Sequence, residues 1–267
     1  MTMTRWPLEL ASLVEVARQA GDRIMAHYAT GTEVRYKADE SPVTAADLAA
    51  HGVIASALGE RTPSIPLLSE EGEPWSWAQR RQWARYWLVD PLDGTREFIA
   101  GNGEFTVNIA LIQHGEPVMG VVHAPALSET YAAARGEGAW RFEAGKPPTR
   151  LAVTAVLPRR PRVLVTRSHA KPALATLLNR LPPHESIGVG SALKFGRLAA
   201  GAGEFYPRIG PTCEWDTAAG HCVVEAAGAT LQVAGGGALR YNQCESLLNP
   251  DFSVAAAVCS AWHDYLS

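Results

Sequence analysis

The chain has 267 residues, 47% of them hydrophobic, enough for one large domain or two packed halves around a substantial core. With 24 basic against 27 acidic residues and a formal net charge of −3, no bulk basic field suits a nucleic-acid polymer or an anionic membrane surface, so an anionic ligand must be met locally. Residues 1–10 lack the apolar centre of a signal peptide, no later run is long enough to span a membrane, and Cys213, Cys222, Cys244 and Cys259 form no C-x-x-C pair; a cytoplasmic protein with reduced cysteines in its core is expected.

Leu10, Leu13, Val14, Ala17, Gly21, Ile24, Met25 and Tyr28 recur at steps of three and four, which predicts an amphipathic helix ending near Gly31. Residues 33–42 are polar and read as an exposed loop or hairpin, a candidate lid. Thr44-Ala45-Ala46-Asp47 has the T-x-x-D form of a capping box and opens a helix running to about Leu58. Ile65 to Leu68 make a short apolar strand that ends at Ser69-Glu70-Glu71-Gly72.

Trp87-Leu88-Val89 read as a buried strand that stops at two carboxylates, Asp90 and Asp93, with Pro91 taking the backbone out of the ladder between them. Gly94 follows, then the polar start of a short helix at Thr95. Carboxylates beside a helix N-terminus offer hard oxygen ligands next to amide donors, which suits a divalent cation bridging a phosphate. Asp-Pro and Asp-Gly are also ordinary turn material, and Asp93 read alone is equally a helix cap.

Residues Phe105 to Ile112 and Val118 to His123, with Gly115 between them, read as neighbouring strands, and Tyr131 to Ala134 and Ala139 to Phe142 continue the meander. Prolines at 147, 148, 158 and 161 mark a change of segment, so residues 1–155 are taken as an α+β half and 156–267 as an α/β half. The second half alternates: strand Arg162 to Thr166, helix Lys171 to Leu181, strand Ser186 to Val189, helix Ala192 to Ala200, strand Glu204 to Tyr206. A last helix starts around Asp216 and stops at Gly228, and its small residues Ala218, Ala219 and Gly220 allow a close approach to another backbone. Taken alone, Asp216 is an ordinary N-cap.

Glu70, Asp90, Asp93 and Asp216 thus each fall at a strand end or a helix start. Four carboxylates brought together repel one another by several kcal/mol unless cations occupy the site. Two Mg²⁺ ions about 4 Å apart would hold both the attacking and the leaving oxygen of a phosphoryl displacement.

Ser69-Glu70-Glu71, Asp90-Pro91-Leu92-Asp93-Gly94-Thr95 and Trp215-Asp216-Thr217-Ala218-Ala219-Gly220 together resemble the lithium-sensitive, Mg²⁺-dependent phosphatase family of inositol monophosphatases, fructose-1,6-bisphosphatases and bisphosphate nucleotidases. Residues 41–47, 103–110, 166–169 and 191–195 are most similar to its bacterial bisphosphate nucleotidases, so the likeness runs nearly end to end. The resemblance implies an α-β-α-β-α layered sandwich. It also implies hydrolysis of the 3'-phosphate of 3'-phosphoadenosine 5'-phosphate (PAP), with the sulfated analogue PAPS as a second candidate, in the service of sulfate assimilation. Two or three Mg²⁺ ions per site are implied, with Glu70, Asp90 and the Leu92 carbonyl on the first, and Asp90, Asp93 and Asp216 on the second. Amides of Gly94 and Thr95 would bind phosphate, and the Thr95 hydroxyl with Asp47 would take the proton of the attacking water.

For the adenosine side, Ser168 and His169 follow one predicted strand and Ser191 to Lys194 follow another, at strand ends where α/β layers bind ligands. Lys194 is the expected point charge on the 5'-phosphate, His169 is placed near the base, and Arg208 is a further candidate. One position departs from the inositol phosphatases: Glu214 stands where they touch the sugar ring. The competing readings are an inositol or sugar monophosphatase, and a ligand-binding regulator on the same fold. The implied partner is a small phosphonucleotide, with no nucleic-acid polymer and no transmembrane segment; peripheral membrane contact and oligomeric state are left open.

Overall fold

The computed structural model describes residues 8–30, 34–36, 42–167 and 172–266. Helix α1 (Leu10–Thr30) follows the predicted periodicity, with Leu13, Ala17 and Ile24 fully buried. Strands β1 (Val34–Tyr36) and β2 (Pro42–Thr44) pair antiparallel; residues 33 and 37–41 of the candidate lid lie outside the described residues. Helix α2 (Ala45–Arg61) opens on the predicted capping box: the Thr44 hydroxyl serves the first turn while Asp47 Oδ2 accepts from the Thr44 amide at 2.8 Å.

A seven-stranded sheet follows, in the order β3 (Leu67–Ser69), β4 (Arg85–Asp93), β5 (Thr106–Gln113), β6 (Glu116–Ala124), β7 (Glu129–Ala134), β8 (Gly138–Glu143) and β9 (Thr149–Arg150). Only β3 and β4 run parallel; the rest is the predicted meander, lengthened by β9. Helices α3 (Trp77–Arg80) and α4 (Thr95–Ile99) flank β4. The expected stop of β4 at Asp90 is corrected: the strand resumes after Pro91, pairing Asp90 with Asn108 and Asp93 with Thr106 across a shift in register. A proline has no amide to give the ladder, yet two residues suffice for the strand to rejoin it.

The second half holds a five-stranded sheet in the order β11 (Glu185–Val189), β10 (Arg162–Thr166), β12 (Phe205–Arg208), β14 (Phe252–Ala256) and β13 (Ala229–Val233). Its helices are α5 (Pro172–Arg180), α6 (Leu193–Ala199) and α7 (Glu214–Ala226), and a 3₁₀ segment spans Ala257–Leu266. The expected α/β alternation holds through α7; β13 and β14 then add antiparallel pairs, so this sheet is mixed.

Alternation along β4 and β5 sorts the core into layers. Trp87, Val89, Ile109 and Leu111 pack with Leu13, Ile24, Ile54 and Leu58 of α1 and α2. Leu88, Ala110 and Ile112 face the opposite way and share a core with Phe195 of α6, Ala219 and Val223 of α7, and Phe252 and Val254 of the second sheet. The far side of that sheet buries Val163, Phe205 and Ala255 against Leu181, Cys259 and Trp262. The layers therefore read helix, sheet, helix, sheet, helix. The middle layer is tight because it uses glycine: a Cβ at Gly220 would strike the Phe195 ring, and one at Gly120 of β6 the Ala219 carbonyl. The four cysteines form no disulfide; Cys244 is exposed and Cys213 half-buried, so only Cys222 and Cys259 fill the expected core role. No helix among the described residues is long and apolar enough to cross a membrane.

Candidate active site

Parallel pairing of β3 with β4 sets Ser69 opposite Val89, and Glu70 N donates to Val89 O at 3.1 Å, which places Glu70, just past the end of β3, beside Asp90 within β4. Asp90 is buried and shares its sheet face with Leu88, toward the middle layer; its Oδ1 accepts from Leu92 N at 3.0 Å, closing the turn over Pro91. Asp93 Oδ2 accepts from Ala192 N at 2.5 Å and from Asn108 Nδ2 at 3.5 Å. Asp216 is three residues past the α7 cap, Cys213, and its Oδ2 accepts from Cys213 N at 2.9 Å. Asp216 is therefore the reciprocal partner of a capping box and not the N-cap itself.

Each of these carboxylates gives one oxygen to the protein's own donors, and ligand atoms of Asp90, Asp93 and Asp216 lie within 4.8 Å of one another. Burial, then the charges of Glu70, Asp93, Asp216 and Asp47, push the Asp90 carboxyl well above its ordinary range. Asp216 is raised well above it for the same reasons, burial first and then Asp93 and Glu70. Asp93 is raised by burial but drawn back by the Lys194 charge. Among the described residues no lysine or arginine forms a salt bridge with the three. An oxygen-only donor set, clustered and unneutralised, fits a hard divalent cation.

A cavity of about 250 Å³ opens beside the cluster. Of the residues expected at the site, Glu70, Asp93, Gly94, Thr95, Ser191, Lys194, Arg208 and Asp216 line it. Asp90 and Asp47 stand behind that lining, both almost wholly buried. Gly94 adopts φ 88° at the cap of α4, a left-handed conformation that turns the chain sharply from β4 into the helix. The sequence gives no signal for the remaining wall, which is made by Phe195, Tyr206, Thr212 and Thr217 among others. Ser168 and His169 lie outside the described residues.

The surroundings of Lys194, Arg208, Thr95 and Asp47 differ from one another. Lys194 is buried: its Nζ donates to Ser191 O at 2.7 Å and Val189 O at 3.1 Å and lies 5.4 Å from the centre of the Tyr206 ring. Burial pulls its pKa down to about 8, against the Asp93 charge, and its two hydrogen bonds brace the Ser191 turn. Arg208 is the freer cation: it donates to Pro211 O at 3.1 Å, while its buried Nε has no hydrogen-bond partner. Thr95 and Asp47 are not hydrogen-bonded to each other; Asp47 Oδ2 takes both the amide and the hydroxyl of Thr44, and Thr95 Oγ1 is 3.5 Å from Leu92 O.

Glu214 turns away from the cavity, with Oε1 accepting from Asn242 N at 2.7 Å and Oε2 buried without a partner. Burial raises its pKa from 4.5 to about 7, offset in part by the Asn242 amide and the Arg80 charge. A carboxyl that holds its proton more tightly when folded makes stability fall as pH rises through that window. Glu214→Gln is therefore expected to raise Tm at pH 8 and to lose most of that gain at pH 5; an equal shift at both pH values contradicts the buried-acid account.

The five-layer sandwich, with a carboxylate cluster shared by β4 and α7, is the architecture of the inositol phosphatase class. This chain belongs to the inositol monophosphatase family, whose model matches residues 7–266. It is 51% identical over 249 residues to the 3'(2'),5'-bisphosphate nucleotidase CysQ of Escherichia coli K12, covering 92% of this chain and 99% of that one. The CysQ of Haemophilus influenzae is 34% identical over 254 residues, covering 95% and 94%. Among solved structures, CysQ from Bacteroides thetaiotaomicron superposes with a TM-score of 0.80 at 40% identity, covering 92% and 96%. The Thermotoga maritima IMPase also gives 0.80, at 25% identity over 96% of both chains.

Proposed function

We propose that this chain is a cytoplasmic 3'(2'),5'-bisphosphate nucleotidase that hydrolyses the 3'-phosphate of PAP to AMP and phosphate. The observation that carries the reading is the clustering of Asp90, Asp93 and Asp216, from distant parts of the chain, beside a cavity that Arg208 also lines. Relatives named as bisphosphate nucleotidases, at half identity over nearly the whole chain, support it.

Glu70, Asp90, Asp93, Asp216 and the Leu92 carbonyl are the residues that would hold two or three Mg²⁺ ions. Bound there, Mg²⁺ would supply positive charge to the phosphoryl oxygens and make water acidic enough to attack at neutral pH. The rest falls to the protein. The amides of Gly94 and Thr95 orient the phosphate, and the Thr95 hydroxyl, only loosely tied to Leu92 O, is placed to align the attacking water. Asp47 acts from behind, adding negative charge next to Asp90 and receiving the proton. Phe195 and Tyr206 give the adenosine apolar wall, and Arg208 meets the 5'-phosphate with its unspent donors, ahead of Lys194.

The test compares phosphate release from PAP, PAPS, inositol 1-phosphate, fructose 1,6-bisphosphate and 3'-AMP. PAP is expected to be the preferred substrate by kcat/KM; preference for inositol 1-phosphate, or release from none of them, rejects the proposal. Arg208→Ala should cost about 1.5 to 3 kcal/mol in kcat/KM on PAP and little on 3'-AMP, which has no 5'-phosphate. Lys194→Ala, if the lysine is chiefly a brace, lowers both alike.

A further inference from the structure

The carboxylate of Asp93 is held from the other half of the chain by one amide, that of Ala192, in the turn between β11 and α6. This turn is constrained on every side. Ser191 sits at φ 45°, in the left-handed region, and a Cβ on Gly190 would collide with the Glu104 carbonyl and the Glu97 side chain. The Ser191 hydroxyl accepts from Leu193 N at 3.2 Å, tying the turn to the first residue of α6.

Glu104 is the group that fastens this turn to the first half. It lies in the loop between α4 and β5, and its Oε2 accepts from Gly190 N at 2.7 Å. Both its oxygens receive the Arg167 guanidinium, Nε on Oε2 and Nη2 on Oε1, each at 2.7 Å. Arg167 Nη2 also donates to Gly188 O at 2.6 Å, so one fork grips the end of β10, the end of β11 and the loop before β5. An exposed ion pair of this kind contributes little stability by itself. Its geometry is specific, because a planar guanidinium meets a carboxylate along two parallel bonds.

We infer that Glu104, aligned by Arg167, is a positioning residue for Asp93: it fixes the Gly190–Ala192 turn, whose amide takes one Asp93 oxygen and leaves the other for the cation. Partners of this kind behind a metal ligand commonly set affinity by ten- to a hundredfold. The inference rests on the metal reading of the carboxylate cluster.

The experiment titrates MgCl₂ calorimetrically into chelator-treated parent, Glu104→Ala, Glu104→Gln and Arg167→Ala proteins, with Tm and steady-state kinetics alongside. Glu104→Ala is expected to weaken Mg²⁺ binding about tenfold or more. It should raise the Mg²⁺ needed for half-maximal activity in step, while KM for PAP at saturating Mg²⁺ moves less than about threefold. Glu104→Gln keeps an acceptor for Gly190 N and should recover most of the affinity; Arg167→Ala should fall between. A lowered Tm with parental Mg²⁺ affinity in the folded variants overturns the inference, since that is what a merely structural clamp would give. Should Glu104→Ala not fold, parental affinity in both other variants overturns it equally. A parent that binds no Mg²⁺ rejects the metal reading first, before any variant is compared.

Discussion

Asp93→Asn is expected to give a folded protein that releases phosphate from PAP about a thousandfold more slowly, a loss of about 4 kcal/mol in transition-state stabilisation. The amide side chain can keep its carbonyl oxygen on Ala192 N, so the joint between the halves survives. What is lost is the charged oxygen facing Asp90 and Asp216. Because these groups repel one another in the metal-free protein, the same substitution should leave Tm in chelator unchanged or higher. Activity and stability thus move in different directions, which separates a damaged site from a damaged fold. Activity within about tenfold of the parent would remove Asp93 from the metal site.

Thr95→Ala is the second large effect, expected to lower kcat by about 10² with KM changed less than about threefold, the pattern of an interaction that strengthens in the transition state. The hydroxyl is 3.5 Å from Leu92 O, too long to hold it firmly, so little ground-state structure is lost with it. A change in KM alone makes Thr95 a substrate contact. Asp47→Ala is the companion measurement: a capping role alone costs about 1 kcal/mol of stability and leaves kcat intact. A role in taking the water's proton lowers kcat as well. The structure keeps both open to Asp47, since one oxygen serves Thr44 while its charge is felt by Asp90.

Much of this protein is determined locally and is therefore legible without a structure. The three- and four-residue spacing in α1, the Thr44–Asp47 box and the alternation in β5 to β8 depend on neighbours within a turn or a hairpin. The acids of the motifs belong to the same class, because the proline, the glycine and the helix-start patterns that flag them stand within a few residues of each. The motifs around Glu70, Asp90 and Asp216 accordingly identified the family, and three of their aspartates, Asp90, Asp93 and Asp216, cluster in the fold.

Other features were decided only when distant segments met. Lys194, an isolated cation on a helix in the sequence, became a buried brace because Tyr206 covers it and the Ser191 turn offers carbonyls. Glu214 turned inward to Asn242, 28 residues away, and so left the cavity to its neighbours. Arg208 was one candidate among several until the fold put it in the cavity lining, with a buried Nε that has no partner. The bond from Ala192 to Asp93 spans 99 residues and that from Arg167 to Glu104 spans 63. Such pairs leave no periodic trace in the chain, because their partners are selected by packing of the middle helix layer, where glycines at 120 and 220 let two sheets and two helices close on one set of carboxylates.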